Sequence, residues 1–343
     1  MKYEIRNTKY ERRAFTLVEL VVAVGIMAMV ILFAGTIFKE SIGSYRAASA
    51  QAEIMQKLRV ITDQLDSDFK GLRKDAPLFI WFHQHDIDAR QRFDQIMFFA
   101  DGDFQSTGLW ANKPVVGNLA RIYYGQTQNS LGLEPKKRIL ARRQHISTAD
   151  LALDAWPNPA NFAATFNLAN NDIYEHDRIS LSQWQALMTQ DVNVSFTIEA
   201  CIGRTGNSRP MVNLASAQGL HMLMTEGVSS FSIQWSYNST LTGSPVLWWP
   251  SVDPEGDGQV NNPNDFNFNV SFPWIDRMGF FFNAVKPIPL FVLWNSYDNA
   301  SGPYYPVIKP VYPQALKFTF TLYDSKGVFR EGQTFTHIVY LGD

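Results

Sequence analysis

The sequence predicts an α+β fold in which one long N-terminal helix is laid on antiparallel β-sheet. Three observations predict it. Residues 15–38 contain no Lys, Arg, Asp or Pro. Residues 39–69 continue with apolar side chains at three- and four-residue spacing, the period of a helix with one apolar face. From Leu72 onward the pattern changes to short runs of period two, broken by Gly, Pro, Asn and Asp, as strands and turns are.

The bulk numbers bound the classes. A chain of 343 residues suits one large or two modest domains, and 46% hydrophobic residues suffice for a core. Aromatics at 14% and charged residues at 18% describe a β-rich globular part rather than a disordered one. A net charge of −2 implies no general affinity for polyanions. The single cysteine, Cys201, excludes an intrachain disulfide and every CxxC-type site, and reads as a small buried thiol.

The elements follow in order. Residues 1–14 carry Lys2, Arg6, Lys9, Arg12 and Arg13 against Glu4 and Glu11, five positive charges less two negative, a net +3. Residues 15–38 would span about 36 Å as a helix, enough to cross a bilayer. The basic flank then stays cytoplasmic and the bulk of the chain lies outside. "FAGTIFKES" (33–41) is a poor signal-peptidase site. The helix does not stop there. Ile42, Tyr45, Ala48, Ala52, Met55, Leu58, Ile61, Leu65 and Phe69 form a stripe along an amphipathic extension, 39–71, and Gly71 sits where a C-cap is expected. One helix of about fifty-five residues is predicted.

Glu19 stands inside the apolar run. A carboxylate in hydrocarbon costs about 2.5–3.5 kcal/mol on insertion scales, so such a residue is either hydrated at the membrane edge or paired. A cation would come from cleavage between Ala14 and Phe15, which frees an α-amino group on Phe15, with Glu19 the fifth residue from the new end. A pair between Glu19 and the ammonium of a neighbouring subunit offsets its burial only when both charges are present, and so specifies register between subunits.

"RRAFTLVEL" (12–20) followed by the long apolar helix resembles the processing and methylation signature of type IV pilins and type II secretion pseudopilins. The resemblance covers residues 11–70. It implies a pilin-like fold, cleavage by a prepilin peptidase at Ala14–Phe15, N-methylation of Phe15, and a role for Glu19 in subunit assembly. The residue before the cut is usually glycine in that family; here it is Ala14.

In the remainder, 72–343, strands are predicted at "FDQIMFFA" (93–100), "LARIYYG" (119–125), "RILARRQ" (138–144), "VSSFSIQW" (228–235), "LKFTFTLY" (316–323) and "FTHIVYL" (335–341). "DSKG" (324–327) is a turn that makes 316–341 a hairpin. "SLSQWQALM" (180–188) reads as a short helix. The order of these segments is similar to the J-type minor pseudopilin of type II secretion, general secretion pathway protein J, and to PilW-type minor pilins. Residues 225–341 carry most of that likeness. The chain is longer than a usual J-type domain, with the excess expected as insertions at 145–224 and 239–312. K-type minor pseudopilins typically lack the early glutamate, so Glu19 argues against that type.

Candidate chemistry is sparse. "SVDPEGDGQVNNPND" (251–265) places Asp253, Glu255, Asp257, Gly258, Gln259 and Val260 on the calcium-loop template. Position twelve is Asn264, where a bidentate carboxylate is wanted, and Asp265 comes one residue late. Two readings stand: a Ca²⁺ loop and a bare acidic turn. "HQHD" (83–86) offers His83 and His85, with Asp86 and Asp88 nearby, and falls short of a zinc set. Trp248, Trp249 and Trp274 form either an aromatic glycan platform or core. No nucleophile elbow, HExxH, P-loop or dinucleotide fingerprint occurs. The basic run "KKRILARR" (136–143) alternates as a strand does, and no nucleic acid is expected as a partner.

The resemblance therefore implies a non-enzymatic assembly protein of the bacterial inner membrane. It is single-pass, with its N-terminus cytoplasmic and its C-terminal domain periplasmic, and is carried to the tip of a pseudopilus. Implied partners are the prepilin peptidase, the I-, K- and H-type minor pseudopilins, the major pseudopilin and membrane lipid. Two alternatives are a minor pilin of a type IV or competence pilus, and a membrane-tethered glycan-binding module.

Overall fold

The computed structural model describes residues 16–81, 92–110, 113–130, 132–148, 175–177, 180–182, 185, 210, 212, 220–236, 248, 279–282 and 312–341. The chain divides into two compact units, 1–51 and 52–343. The long helix is one element, α1 (Leu17–Lys70), 54 residues. Its length and end match the expectation, but the reason for Gly71 differs. Gly71 is not in the left-handed region; a Cβ there would stand 2.0 Å from the Asp101 carbonyl oxygen. The glycine permits a close approach in which the Asp101 N–H donates to the Gly71 carbonyl at 2.7 Å.

The buried stripe of α1 also differs from the predicted one. Ile61, Leu65 and Phe69 are buried and Leu58 packs against them, as expected. Ile42, Tyr45, Ala48, Ala52 and Met55 are exposed, and Ile54 is buried instead. Ile54, Leu58, Ile61 and Leu65 follow a four-three-four spacing that keeps them on one face. Met55 lies a full residue step away, about 100° round the helix.

Among the described residues ten strands follow: β1 (Leu78–Trp81), β2 (Gln95–Trp110), β3 (Lys113–Gln126), β4 (Ile139–Ser147), β5 (His176–Asp177), β6 (Leu223–Glu226), β7 (Val228–Ser236), β8 (Gly279–Phe282), β9 (Ala315–Leu322) and β10 (Gln333–Tyr340). All six predicted strands form. β2 runs ten residues past the predicted end at Ala100, through two irregularities between Asp101 and Leu109. Strands β1, β5, β6 and β8 were not foreseen from the sequence. Of the helix expected at 180–188, Leu181, Ser182 and Gln185 are helical, Ser180 is not, and the rest lies outside the described residues. The two predicted insertions lie mostly outside them as well.

A seven-stranded sheet has the order β5-β4-β3-β2-β1-β8, with β6 also on β4; a three-stranded sheet has the order β10-β9-β7. Among the described residues the named strands pair antiparallel except for the short β4–β5 contact at Ile146↔His176 and Ser147↔Asp177, which is parallel, as is the isolated bridge Phe93↔Phe231. The C-terminal hairpin forms with unbroken register from Leu322↔Gln333 to Ala315↔Tyr340. Its connection is held by Asp324, whose carboxylate accepts the N–H groups of Val328 at 2.7 Å and Phe329 at 3.0 Å, with Gly327 at φ 65°.

The domain half of α1 and the two sheets share one core. Phe69 stacks on Phe98 with centroids 4.2 Å apart and lies 5.7 Å from Phe318, which in turn lies 5.8 Å from Phe231. Burying each of these side chains contributes about 1.5–3 kcal/mol. The opposite face of the seven-stranded sheet is apolar too: Phe79, Trp81, Met97, Phe99 and Tyr123 are all buried.

Polar clamps tie α1 to both sheets. Asp68 accepts a bidentate pair of hydrogen bonds from Arg142 on β4, at 2.6 and 2.8 Å, and another from the hydroxyl of Tyr124 on β3. Lys57 donates to the Tyr323 carbonyl at 2.8 Å, and Glu53 accepts from the Ser325 N–H at 2.9 Å and hydroxyl at 3.0 Å. His337 on β10 lies 2.8 Å from Asp66.

Candidate functional site

The candidate site is the start of α1. Thr16 precedes the first helical residue, where four backbone N–H groups lack helical partners. The Thr16 hydroxyl oxygen accepts the Glu19 N–H at 3.2 Å. The Glu19 carboxylate accepts the Thr16 N–H and the Thr16 hydroxyl proton, each at 2.9 Å and each through Oε2. This reciprocal arrangement is a capping box. It satisfies two orphan donors and sets a negative charge at the positive end of the helix dipole. The role of Thr16 was missed from the sequence, although "TLVE" (16–19) is the Thr-x-x-Glu pattern of such a cap preceding an apolar run. Ala14 and Phe15 lie outside the described residues.

Beyond the cap, α1 shows apolar side chains on every side. Leu17 is 79% exposed and Phe38 is 69% exposed, with every Val, Leu, Ile, Met and Phe between them exposed as well. A helix apolar and exposed all round is built for lipid or for other helices. Its most apolar window has mean hydropathy 2.8, which makes α1 long and apolar enough to cross a membrane. The one hydroxyl in its middle, Thr36, donates to the Leu32 carbonyl at 3.0 Å and so needs no water. Gly25, Gly35 and Gly43 have nothing within 4 Å of a built Cβ, leaving notches where another helix backbone can approach.

The other sequence candidates divide. Asp253, Glu255, Asp257, Gln259, Asn264 and Asp265 lie outside the described residues, as do His83, His85, Asp86, Asp88, Trp249 and Trp274. Among the described residues no group of three or more His, Cys, Asp or Glu side chains could hold a metal. Trp248 is described: the Lys317 ammonium sits 4.8 Å from its ring centroid, and burial lowers the pKa of that lysine. The three arginines of 136–143 turn inward, whereas Lys136 and Lys137 are exposed. Arg138 donates to the Ser229 carbonyl at 2.5 Å, Arg142 holds Asp68, and Arg143 lies 5.7 Å from the Tyr123 ring. Burial alone would lower the Arg142 guanidinium, but hydrogen bonds and charge from Asp68 outweigh it and raise the pKa. Burial, then the Asp68 charge, pushes the Tyr124 hydroxyl far above its ordinary value.

Residues 10–35 match the family model described as the prokaryotic N-terminal methylation motif. The match takes in Arg12 and Arg13 at the end of the leader, Ala14, Phe15 and Glu19, and it supports the type IV pilin and pseudopilin superfamily. No curated protein and no solved structure matches the chain.

Proposed function

We propose that this chain is a minor pseudopilin of a type II secretion system, most like the J type, which helps to initiate and cap the pseudopilus tip. The carrying observation is the methylation motif at 10–35 running into a single helix, apolar and exposed in its first half and built into a β-rich core in its second. On this reading, prepilin peptidase cuts between Ala14 and Phe15. Phe15 is then methylated, and the apolar half of α1 moves from lipid to a bundle of like helices. The order of the segments along the sequence, above all in residues 225–341, is what favours the J type.

Glu19 then serves twice. Its Oε2 holds the cap on its own helix, while among the described hydrogen bonds Oε1 takes none. One carboxylate can therefore keep its helix start and receive the Phe15 ammonium of a neighbour. The two charges offset each other's desolvation only in the assembled register.

The test is the intact mass and N-terminal peptide of the chain purified from membranes that contain a prepilin peptidase. A chain beginning at Phe15 with one added methyl group is expected. A chain still beginning near Met1 sinks the assembly reading, because Glu19 then lacks its ammonium. Secretion assays on a deletion strain separate this machinery from a type IV or competence pilus, whose loss shows instead in motility or DNA uptake.

A further inference from the structure

The three-stranded sheet has two edges, and the fold treats them differently. On the β7 side the edge is closed by the chain itself. The Phe231 N–H donates to the Arg92 carbonyl at 2.9 Å, the Asp94 N–H donates to the Phe231 carbonyl at 2.7 Å, and the N–H groups of Gly227 and Val228 both reach the Arg138 carbonyl. Asp94 seals this edge further by accepting the Ile233 N–H at 2.8 Å. On the other side stands β10, and no described residue pairs with its outer edge.

The direction of its backbone groups follows from the register. Leu341 donates its N–H to Gln314 at 2.8 Å, so the pair 341↔314 is hydrogen-bonded. Hydrogen-bonded pairs alternate along an antiparallel ladder. Val339, His337 and Phe335 therefore bond inward to β9, whereas Tyr340, Ile338, Thr336 and Thr334 aim N–H and C=O groups outward. Those four also carry the exposed side chains of the strand: Tyr340 is 66% exposed and Ile338 36%, and both threonines are exposed. The inward residues make a stiff template. Phe335 lies 6.5 Å from Phe320, Val339 is buried, and His337 holds Asp66.

Edges left open in monomers are blunted by Lys, Pro, bulges or shortness. β10 has none of these. "QTFTHIVYL" (333–341) contains no Asp, Glu, Lys, Arg or Pro, and its register with β9 is continuous over eight residues. We propose that β10 is the acceptor edge for strand addition, receiving an extended, uncharged, β-branched-rich segment of a neighbouring subunit as a fourth strand of this sheet. The absence of charge on the acceptor selects an uncharged donor, because a charged side chain opposite Ile338 or Tyr340 gains no partner. The identification of the donor as a subunit rests on the assembly reading above.

The experiment is amide hydrogen exchange with co-purification, on the full chain co-expressed with the other pseudopilins of its cell. In the chain alone, the amides of Thr336, Ile338 and Tyr340 should exchange rapidly while those of Phe335, His337 and Val339 are protected. In the co-purified assembly the first three should become protected. Two variants block the edge while sparing the fold: Ile338→Pro removes an outward N–H, which a sheet edge tolerates, and Thr336→Lys keeps the N–H but adds a charge. Retained protection at Phe335 and Val339 confirms that β10 is intact. Both variants should lose most of the co-purified partner. Normal co-purification of both overturns the edge proposal alone. Protection of Thr336, Ile338 and Tyr340 in the isolated chain also overturns it, since another part of this chain then covers the edge. Failure of the unaltered chain to co-purify sinks the assembly reading and the proposal with it.

Discussion

Arg142 on β4 grips Asp68 in the last turn of α1 through two parallel hydrogen bonds, 2.6 and 2.8 Å long, across 74 residues of sequence. Asp68 also accepts from Gln64 at 3.1 Å and from the hydroxyl of Tyr124, so the buried carboxylate is fully supplied with donors.

Breaking that pair from one side leaves a buried charge. Arg142→Ala or Asp68→Ala is expected to cost about 3–5 kcal/mol. The double variant Asp68→Leu with Arg142→Met should cost far less than the sum, because no charge is stranded. Urea unfolding of the three variants, followed by tryptophan fluorescence, checks the non-additivity. Additive losses would show that the two residues act separately.

The buried stripe of α1 makes a second prediction. Leu65→Ala and Ile61→Ala should each cost about 2–5 kcal/mol, whereas Met55→Ala, at a position 47% exposed, should cost about 0.5 kcal/mol or less. Equal losses at Met55 and Leu65 would restore the stripe that the sequence suggests.

Gly71→Ala should destabilise by about 1–3 kcal/mol, because the new methyl meets the Asp101 carbonyl and backbone must move. Gly132→Ala is the control. Its φ is 69°, with nothing within 4 Å of a Cβ, so its cost is conformational only, about 1–2 kcal/mol. Thermal melts of the two variants separate close approach from backbone strain: the Gly71 variant should show the altered exchange at Asp101 that the Gly132 variant lacks.

Two carboxylates at the hairpin end make stability pH-dependent. Burial would raise Asp324, but the N–H groups of Val328 and Phe329 outweigh it and hold the carboxyl below its ordinary value. Burial likewise opposes, and Lys57 and Ser325 outweigh it, at Glu53. Both folded-state values are depressed, so the stability they contribute is fully present above the unfolded carboxylate values. It is lost as pH falls through the lower folded ones. Melting temperatures measured downward from pH 7 should hold to about pH 4.5 and then fall. In Asp324→Asn the fall should be shallower. An unchanged acid slope in that variant would remove Asp324 from the account.

At the helix start, Glu19→Ala should leave membrane insertion intact and abolish incorporation with other pilin-like subunits, read by membrane fractionation and co-purification. Thr16→Val, which removes the cap oxygen but keeps the carboxylate, should retain partial incorporation. Full incorporation of Glu19→Ala would dismiss the ammonium pair.

What could be read from residues alone follows physical range. The apolar run of α1 and the alternation in "LKFTFTLY" are local signals, and the elements they predict form. β1, "LFIW" (78–81), escaped because a four-residue apolar run buried on both faces has no alternation to detect. The second half of β2 escaped because "DGDFQSTG" (101–108) is turn-like in composition, yet the ribbon pairs with β3 through bulges. Asp68 with Arg142 is non-local, and nothing in either segment names its partner. The cap at Thr16 is a local signal, because "TLVE" (16–19) holds both of its partners within one helical turn.

The central position of β9 has a consequence for the order in which the domain forms. β9 is the middle strand of its sheet, with β7 on one side and β10 on the other. Its pairing with β7 joins residues far apart in sequence, such as Val228 with Leu322. Phe318 and Phe320 fill the core beneath the domain half of α1, so that core stays unfilled until the last strands have been synthesised. A chain made from its N-terminus holds α1 and its early strands without that filling until β9 and β10 arrive, and such non-local closure is slow. The domain thus matures in one late step, when its last two strands join.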